Sequence, residues 1–252
     1  MKGLLLEVKE MVDQLVHGED EIARWVEGRK KAIIRVERIP GDASTRRYYR
    51  IQAKDSTFIL MKAESFSPEG MSWPFLVIQK HMEACGIDVP QVLDVDADRG
   101  YVLLEDLGDV TLLRRLQEVS NQDIERSLYE NVINALVDLH IRASPEGSGA
   151  KLDAFKLRFD HEKLFWEMNF TFEHFYEKYL ARTMAPEDKK AMMEGLSEIC
   201  WTLDKQPTVF THRDFHSRNV MVLPKEGGGE RFSMIDFQDA RMGPAQYDLA
   251  SL

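Results

Sequence analysis

Three oxygen-bearing side chains near the end of the sequence have the types and spacing to do chemistry together. His212-Arg213-Asp214-Phe215-His216-Ser217-Arg218-Asn219 spells H-x-D-x4-N, and Ile235-Asp236-Phe237 follows after the turn Gly227-Gly228-Gly229. A carboxylate such as Asp214 can accept the proton of an attacking hydroxyl, a role worth about 10²–10⁴-fold in rate. Asn219 and Asp236 offer the hard oxygen ligands that Mg²⁺ prefers, one or two carboxylates being completed by phosphate oxygens and water. The matching chemistry is phosphoryl transfer from ATP, in which the protein aligns the nucleophile and neutralises spreading charge. The bland alternatives are a turn cap for Asp214, a loop-satisfying amide for Asn219 and a buried, hydrogen-bonded His212. For His212 that structural role is the expectation, as the brace of the loop. For the other three, taken together, the catalytic reading is preferred.

These residues need short strands to hold them. Val209-Phe210-Thr211, Val220-Met221-Val222-Leu223 and Phe232-Ser233-Met234-Ile235 are apolar segments of strand length, the last two joined by the glycine turn. Upstream, Thr111 and Asn121 read as N-caps. Ile124, Leu128, Val132, Ala135, Leu136 and Leu139 recur at helical spacing, and Pro186 opens a helix running past Leu203. The aromatic cluster Phe165, Trp166, Phe170, Phe172, Phe175 and Tyr176 reads as core, with stacking on a sugar as its alternative. Residues 32–105 alternate as strands instead: Ile33-Ile34-Arg35-Val36, Arg47-Tyr48-Tyr49-Arg50-Ile51, Thr57 to Met61, Gln91 to Val95 and Tyr101 to Glu105. A helix over Pro74 to Ala84, capped by Gly86, interrupts them. The fold class expected is therefore α+β with two lobes. Residues 1–107 form a small antiparallel β-sheet lobe with one helix and a leading amphipathic helix (Leu4, Val8, Met11, Val12, Leu15), and residues 108–252 form a mainly helical lobe.

The motif nearly matches the protein-kinase set H-R-D-L-x-x-x-N and D-F-G. A G-x-G-x-x-G loop is absent, its place being held by Gly41-Asp42-Ala43-Ser44-Thr45-Arg46-Arg47, and no A-P-E segment follows Asp236. A peptide-docking platform has no room there. The chain resembles the aminoglycoside phosphotransferase and choline kinase group. More narrowly, Gly41-Asp42-Ala43-Ser44-x-Arg46-Arg47-Tyr48, Leu104-Glu105-Asp106-Leu107-Gly108-Asp109, Asp236-Phe237-Gln238-Asp239-Ala240 and Gly243-Pro244-x-x-Tyr247-Asp248 look like the bacterial N-acetylmuramate/N-acetylglucosamine anomeric kinases. That resemblance implies a two-lobed protein-kinase-like fold that phosphorylates the anomeric hydroxyl of an amino sugar in cell-wall recycling. It implies Gly41, Ala43 and Ser44 on ATP phosphates, Glu105 and Leu107 at an interlobe adenine contact, Asp239 on sugar hydroxyls, and Arg218 or Arg241 on a muramate carboxylate. It also implies further helices beyond Leu252. Lys62 occupies the place of a phosphate-binding lysine, with a solvated strand end as its alternative. An aminoglycoside or other small-alcohol acceptor is the second enzyme reading, and a silent nucleotide-binding protein the reading of another class.

Bulk properties narrow the field. A net charge of −10 speaks against nucleic acid as a partner. Apolar runs are far shorter than the ~20 residues that cross a bilayer, so no membrane partner is expected. Two cysteines, Cys85 and Cys200, give no disulfide framework, and the expected compartment is the cytoplasm.

Overall fold

The computed structural model describes residues 19–29, 32–40, 46–66, 73–225 and 227–252. The amphipathic helix expected over residues 4–15 and the loop residues Gly41, Ala43 and Ser44 lie outside them. The chain divides into two compact units, Met1–Trp73 with Pro90–Gly108, and Pro74–Val89 with Asp109–Leu252.

The first unit is a five-stranded antiparallel sheet. Its strands β1 (Ile33–Ile39), β2 (Arg47–Ala53), β3 (Thr57–Lys62), β4 (Val92–Asp96) and β5 (Tyr101–Glu105) lie in the order β1-β2-β3-β5-β4. Alternation puts Tyr49, Ile51 and Ala53 on the buried face of β2. A helix over residues 19–27, α1, covers that face, burying Ile22, Trp25 and Val26 against Tyr49, Ile51, Leu60, Tyr101 and Leu103. The Trp25 indole N–H donates to Asp96 Oδ2 at 2.7 Å, and the ring meets Tyr101 edge-on at 5.4 Å. On β2 itself Arg50 pairs with Asp106, Nε to Oδ2 at 2.9 Å and Nη2 to Oδ1 at 3.1 Å. Asp106 Oδ1 also accepts the Gly108 N–H at 2.9 Å, so one carboxylate ties the turn after β5 to β2.

The second unit is mostly helical. Helix α2 (Pro74–Ala84) groups with this unit and not with the sheet that precedes it in sequence. Phe75 stacks on Phe237, and the buried His81 ring lies 2.7 Å from the Ala143 carbonyl and edge-on to Phe155 and Phe210. Asp88, just beyond α2, forks onto Arg231 at 2.8 and 3.0 Å. Helix α3 (Leu112–Glu118) is capped by Thr111 and α4 (Gln122–Arg142) by Asn121, both as expected. A short α5 (Pro145–Ser148) follows, and α6 (His161–Thr171) runs into a π-helical stretch, Phe172–Tyr179. Here the aromatic cluster departs from expectation. Phe172 is buried, but Trp166, Phe170 and Phe175 are exposed, because a helix buries only one stripe and these project from the other faces. Helix α7 (Pro186–Asp204) follows.

Two antiparallel ladders finish the unit: β6 (Thr208–Thr211) pairs with β9 (Arg241–Pro244), and β7 (Val220–Pro224) with β8 (Glu230–Met234). Strand β9 was not among the strands expected from the sequence. A Cβ on Gly243 would sit 2.6 Å from the Phe159 ring and 3.1 Å from Thr211 Oγ1, so only glycine lets Phe159 pack there. Phe159 in turn stacks on Tyr247 at 4.2 Å, from helix α8 (Gln246–Ser251).

Candidate active site

The ladders explain how distant residues meet. Residues 212–219 run from β6 to β7, and residues 235–240 run from β8 to β9, so both segments bridge the same two ladders. They are stitched directly where the Ile235 N–H donates to the Asn219 carbonyl at 3.0 Å. Phe215 and Phe237 are fully buried and peg each segment into the core. The Leu113 N–H, at the start of α3, holds the Ser217 carbonyl at 2.9 Å.

Asp248 is the central support. Its fully buried carboxylate accepts the backbone N–H of His212 at 2.8 Å and of Arg213 at 2.9 Å, and lies 3.0 Å from His140 Nε2. These bonds hold Arg213 at φ 80°, and Asp236 sits at φ 65°. Left-handed geometry in non-glycine residues costs of order 1–3 kcal/mol each and persists only where the surroundings over-determine it. Three non-glycine residues among those described have positive φ, and two of them are in these segments. From sequence, Asp248 is placed only in the motif Gly243-Pro244-x-x-Tyr247-Asp248 and given no role, since nothing local signals that a helix carboxylate is turned inward.

The catalytic candidates follow from this frame. The Asp214 main-chain carbonyl accepts the His216 N–H at 2.9 Å and the Asn219 Nδ2 at 3.0 Å. Because that carbonyl can only accept, the Asn219 nitrogen is fixed toward it and Oδ1 faces away, as a metal ligand requires. The Asp214 carboxylate, half-buried, makes no hydrogen bond or ion pair to a described residue and is available to a proton donor. Asp236 is exposed, and its Oδ1 accepts the Gln238 amide at 2.8 Å, leaving Oδ2 open. The Gln238 Oε1 atom is buried with no partner. An amide oxygen and one exposed carboxylate match the sparse protein share of a Mg²⁺ shell. Among the described residues no group of three or more His, Cys, Asp or Glu is gathered to hold a metal alone.

His212 is buried as expected, its ring edge-on to Phe215 at 5.8 Å. Burial holds its pKa below the ordinary histidine value, while the carboxylates of Asp248, Asp214 and Asp236 and a hydrogen bond to the Ile235 main chain pull the other way.

The acceptor candidates separate. Asp239 and Arg241 come together, Arg241 Nε donating to the Asp239 carbonyl at 3.2 Å, and Arg213 joins them with Nη1 3.6 Å from Asp239 Oδ2. Arg218 is exposed and forms no hydrogen bond or ion pair with a described residue. In the first unit, Lys62 lies at the end of β3 with Nζ 3.4 Å from the Tyr101 hydroxyl, and Glu105 ties to Gln91 through both its N–H (2.9 Å) and its carboxylate (3.3 Å). Leu107 is buried.

Residues 35–252 match the model of a family described as the phosphotransferase enzyme family. The chain belongs to this family. A relative from Neisseria meningitidis serogroup B, named N-acetylmuramate/N-acetylglucosamine kinase, is 35% identical over 213 residues, 84% of this chain and 58% of its own length. This chain thus spans little more than half of that relative. Among solved structures, aminoglycoside phosphotransferase APH(2'')-Ib in its ADP-bound form is 16% identical with a TM-score of 0.60, covering 90% of this chain and 73% of its own. The choline kinase LicA from Streptococcus pneumoniae is 15% identical with a TM-score of 0.57, covering 94% and 74%. The phosphotransferase fold of this chain is the α+β, protein-kinase-like one. Among the described residues no helix is long and apolar enough to cross a membrane.

Proposed function

We propose that this phosphotransferase moves the γ-phosphoryl group of ATP onto a hydroxyl of an amino sugar, specifically the anomeric hydroxyl of N-acetylmuramate or N-acetylglucosamine. The observation that carries the reading is the unpartnered Asp214 carboxylate beside the oriented Asn219 amide and the strained Asp236, in a chain 35% identical to a kinase named for those sugars.

Asp214 orients the acceptor hydroxyl and takes its proton as the new O–P bond forms and the bond to the ADP leaving oxygen breaks. An anomeric hydroxyl is more acidic than an ordinary alcohol, which suits a carboxylate as base. Asn219 and Asp236 hold Mg²⁺, whose contribution when bound is to neutralise the charge spreading over the transferred phosphoryl group. Gln238 keeps the Asp236 carboxylate turned to that task. Lys62, Glu105 and Leu107, with Gly41, Ala43 and Ser44, are assigned to ATP, and Asp239 to the acceptor. The compartment proposed is the cytoplasm, where ATP is supplied.

Coupled ADP release with N-acetylmuramate, N-acetylglucosamine, choline and kanamycin tests the assignment. Turnover with either amino sugar, lost in Asp214→Ala while Mg·ATP binding persists by calorimetry, is the expected result. Acceptor-dependent turnover confined to choline or kanamycin overturns the substrate, and Mg·ATP binding without turnover on any acceptor overturns the activity.

A further inference from the structure

Arg213 occupies the unspecified position of H-x-D-x4-N, and its side chain has no evident work in the loop that carries it. Its nearest carboxylates are Asp239 at 3.6 Å and Glu167 at 3.9 Å, both beyond the 2.7–3.2 Å of a normal N–H···O bond. Its guanidinium donates no hydrogen bond to a described residue although its side chain is only 27% exposed. Glu167 is moreover shared with Lys163, which lies closer at 3.3 Å. Both are ion pairs at long range, without a hydrogen bond, and they leave the donors of the guanidinium unused.

Arg241 faces the same space. Its Nε is fixed on the Asp239 carbonyl at 3.2 Å and its guanidinium carbon lies 5.3 Å from the centre of the Phe159 ring, so the head is oriented while its terminal nitrogens form no hydrogen bond with a described residue. Burial and then the neighbouring Arg213 charge depress its pKa, so two guanidinium groups are kept within repulsive reach of each other. Tyr247 links this corner to the chemistry: its hydroxyl feels the charges of Glu167, Arg213 and Asp214. Two preoriented forks with spare donors beside a catalytic carboxylate suit a planar oxyanion, which guanidinium groups bind bidentately.

We infer that Arg213 and Arg241 form the subsite for the acceptor's own carboxylate, so that the site prefers an acid-bearing amino sugar to a neutral one. This rests on the amino-sugar reading above. N-Acetylmuramate carries a carboxylate on an ether arm at C3, two carbons from the anomeric centre, whereas N-acetylglucosamine carries none. Arg218, the other cation suggested for this task by the sequence, is exposed and pairs with no described residue. Asp239 and Glu167, at 3.6 and 3.9 Å, orient the Arg213 fork.

The test is kcat/KM of the chain and of Arg213→Gln and Arg241→Gln on N-acetylmuramate, its methyl ester and N-acetylglucosamine, with melting curves for each protein. The expected result is that the acid-to-ester ratio falls by about 10- to 100-fold in each variant, mainly through KM of the acid, as loss of a charge-assisted bond predicts. A merely structural role would change kcat/KM on acid and ester by the same factor and leave the ratio fixed. That outcome overturns the proposal, as does an unaltered chain that treats acid and ester alike. Should Arg213→Gln fail to fold, Arg241→Gln carries the same comparison. Turnover on none of the three sugars refutes the parent reading and this one with it, whereas turnover with an unmoved ratio refutes the carboxylate subsite alone.

Discussion

Replacing Asp248 by asparagine changes one oxygen of a fully buried carboxylate to an NH2 group. The carboxylate serves three donors, the His212 and Arg213 N–H groups at 2.8 and 2.9 Å and His140 at 3.0 Å. An asparagine carbonyl can keep the pair on one side, but its NH2 then confronts the remaining donor, leaving a buried N–H or ring nitrogen unmatched at about 1–3 kcal/mol. The retained bonds lose their charge assistance, for a total of roughly 2–4 kcal/mol. At about 2–4 °C per kcal/mol for a chain of this size, the melting midpoint should fall by about 4–16 °C. Freed from Asp248, Arg213 relaxes from φ 80° and Asp214 moves with it. A displacement near 1 Å at such a group can cost about 10²-fold in kcat. Differential scanning fluorimetry and the amino-sugar assay, run on the same preparation, check both numbers. A midpoint within a degree of the parent, with unchanged kcat, would show that Asp248 does not hold the loop.

Other outcomes can be measured in parallel. Asp214→Asn should lower kcat by about 10²–10⁴-fold with little change in Mg·ATP affinity by calorimetry, since only the proton acceptor is lost. His212 has a folded pKa below its unfolded value of about 6.5, so the unfolded chain binds more protons below that pH. The native state should accordingly lose stability as pH falls from about 6.5 toward the depressed folded value, and a His212→Gln variant should show a shallower decline in melting temperature over that range. Gly243→Ala should destabilise by about 1–3 kcal/mol in chemical denaturation, because the methyl group overlaps Phe159 and no flexible atom can yield.

Periodicity made most elements legible. The alternation of Tyr49, Ile51 and Ala53 and the caps Thr111, Asn121 and Gly86 are local signals with local causes, and the strands and helices they marked lie where expected. The segments that carry Asp214, Asn219 and Asp236 were marked by their spacing, and they meet where the Ile235 N–H donates to the Asn219 carbonyl. What escaped were choices of partner. The apolar stripe of α2 shows which face is buried, but grouping with the second unit depends on Phe237 and Arg231, more than 140 residues away. The roles of Asp248 and Arg213 escaped, because the direction of an inward carboxylate or of a loop guanidinium carries no pattern of its own. The aromatics of α6 misled because richness in rings is not direction.

The hairpin that separates Asn219 from Asp236 has its own practical meaning. Strand β7 leads directly away from Asn219 and β8 returns to within two residues of Asp236, so the exposed tip at Gly227, Gly228 and Gly229 stands a strand's length, about 17 Å, from the chemistry. All three glycines have positive φ and open space around them, so the tip supports nothing else. It is a natural port for an inserted reporter domain or for splitting the chain into two reassembling halves. Each half would then carry one of the two side chains proposed to hold the metal, and activity would report reassembly itself.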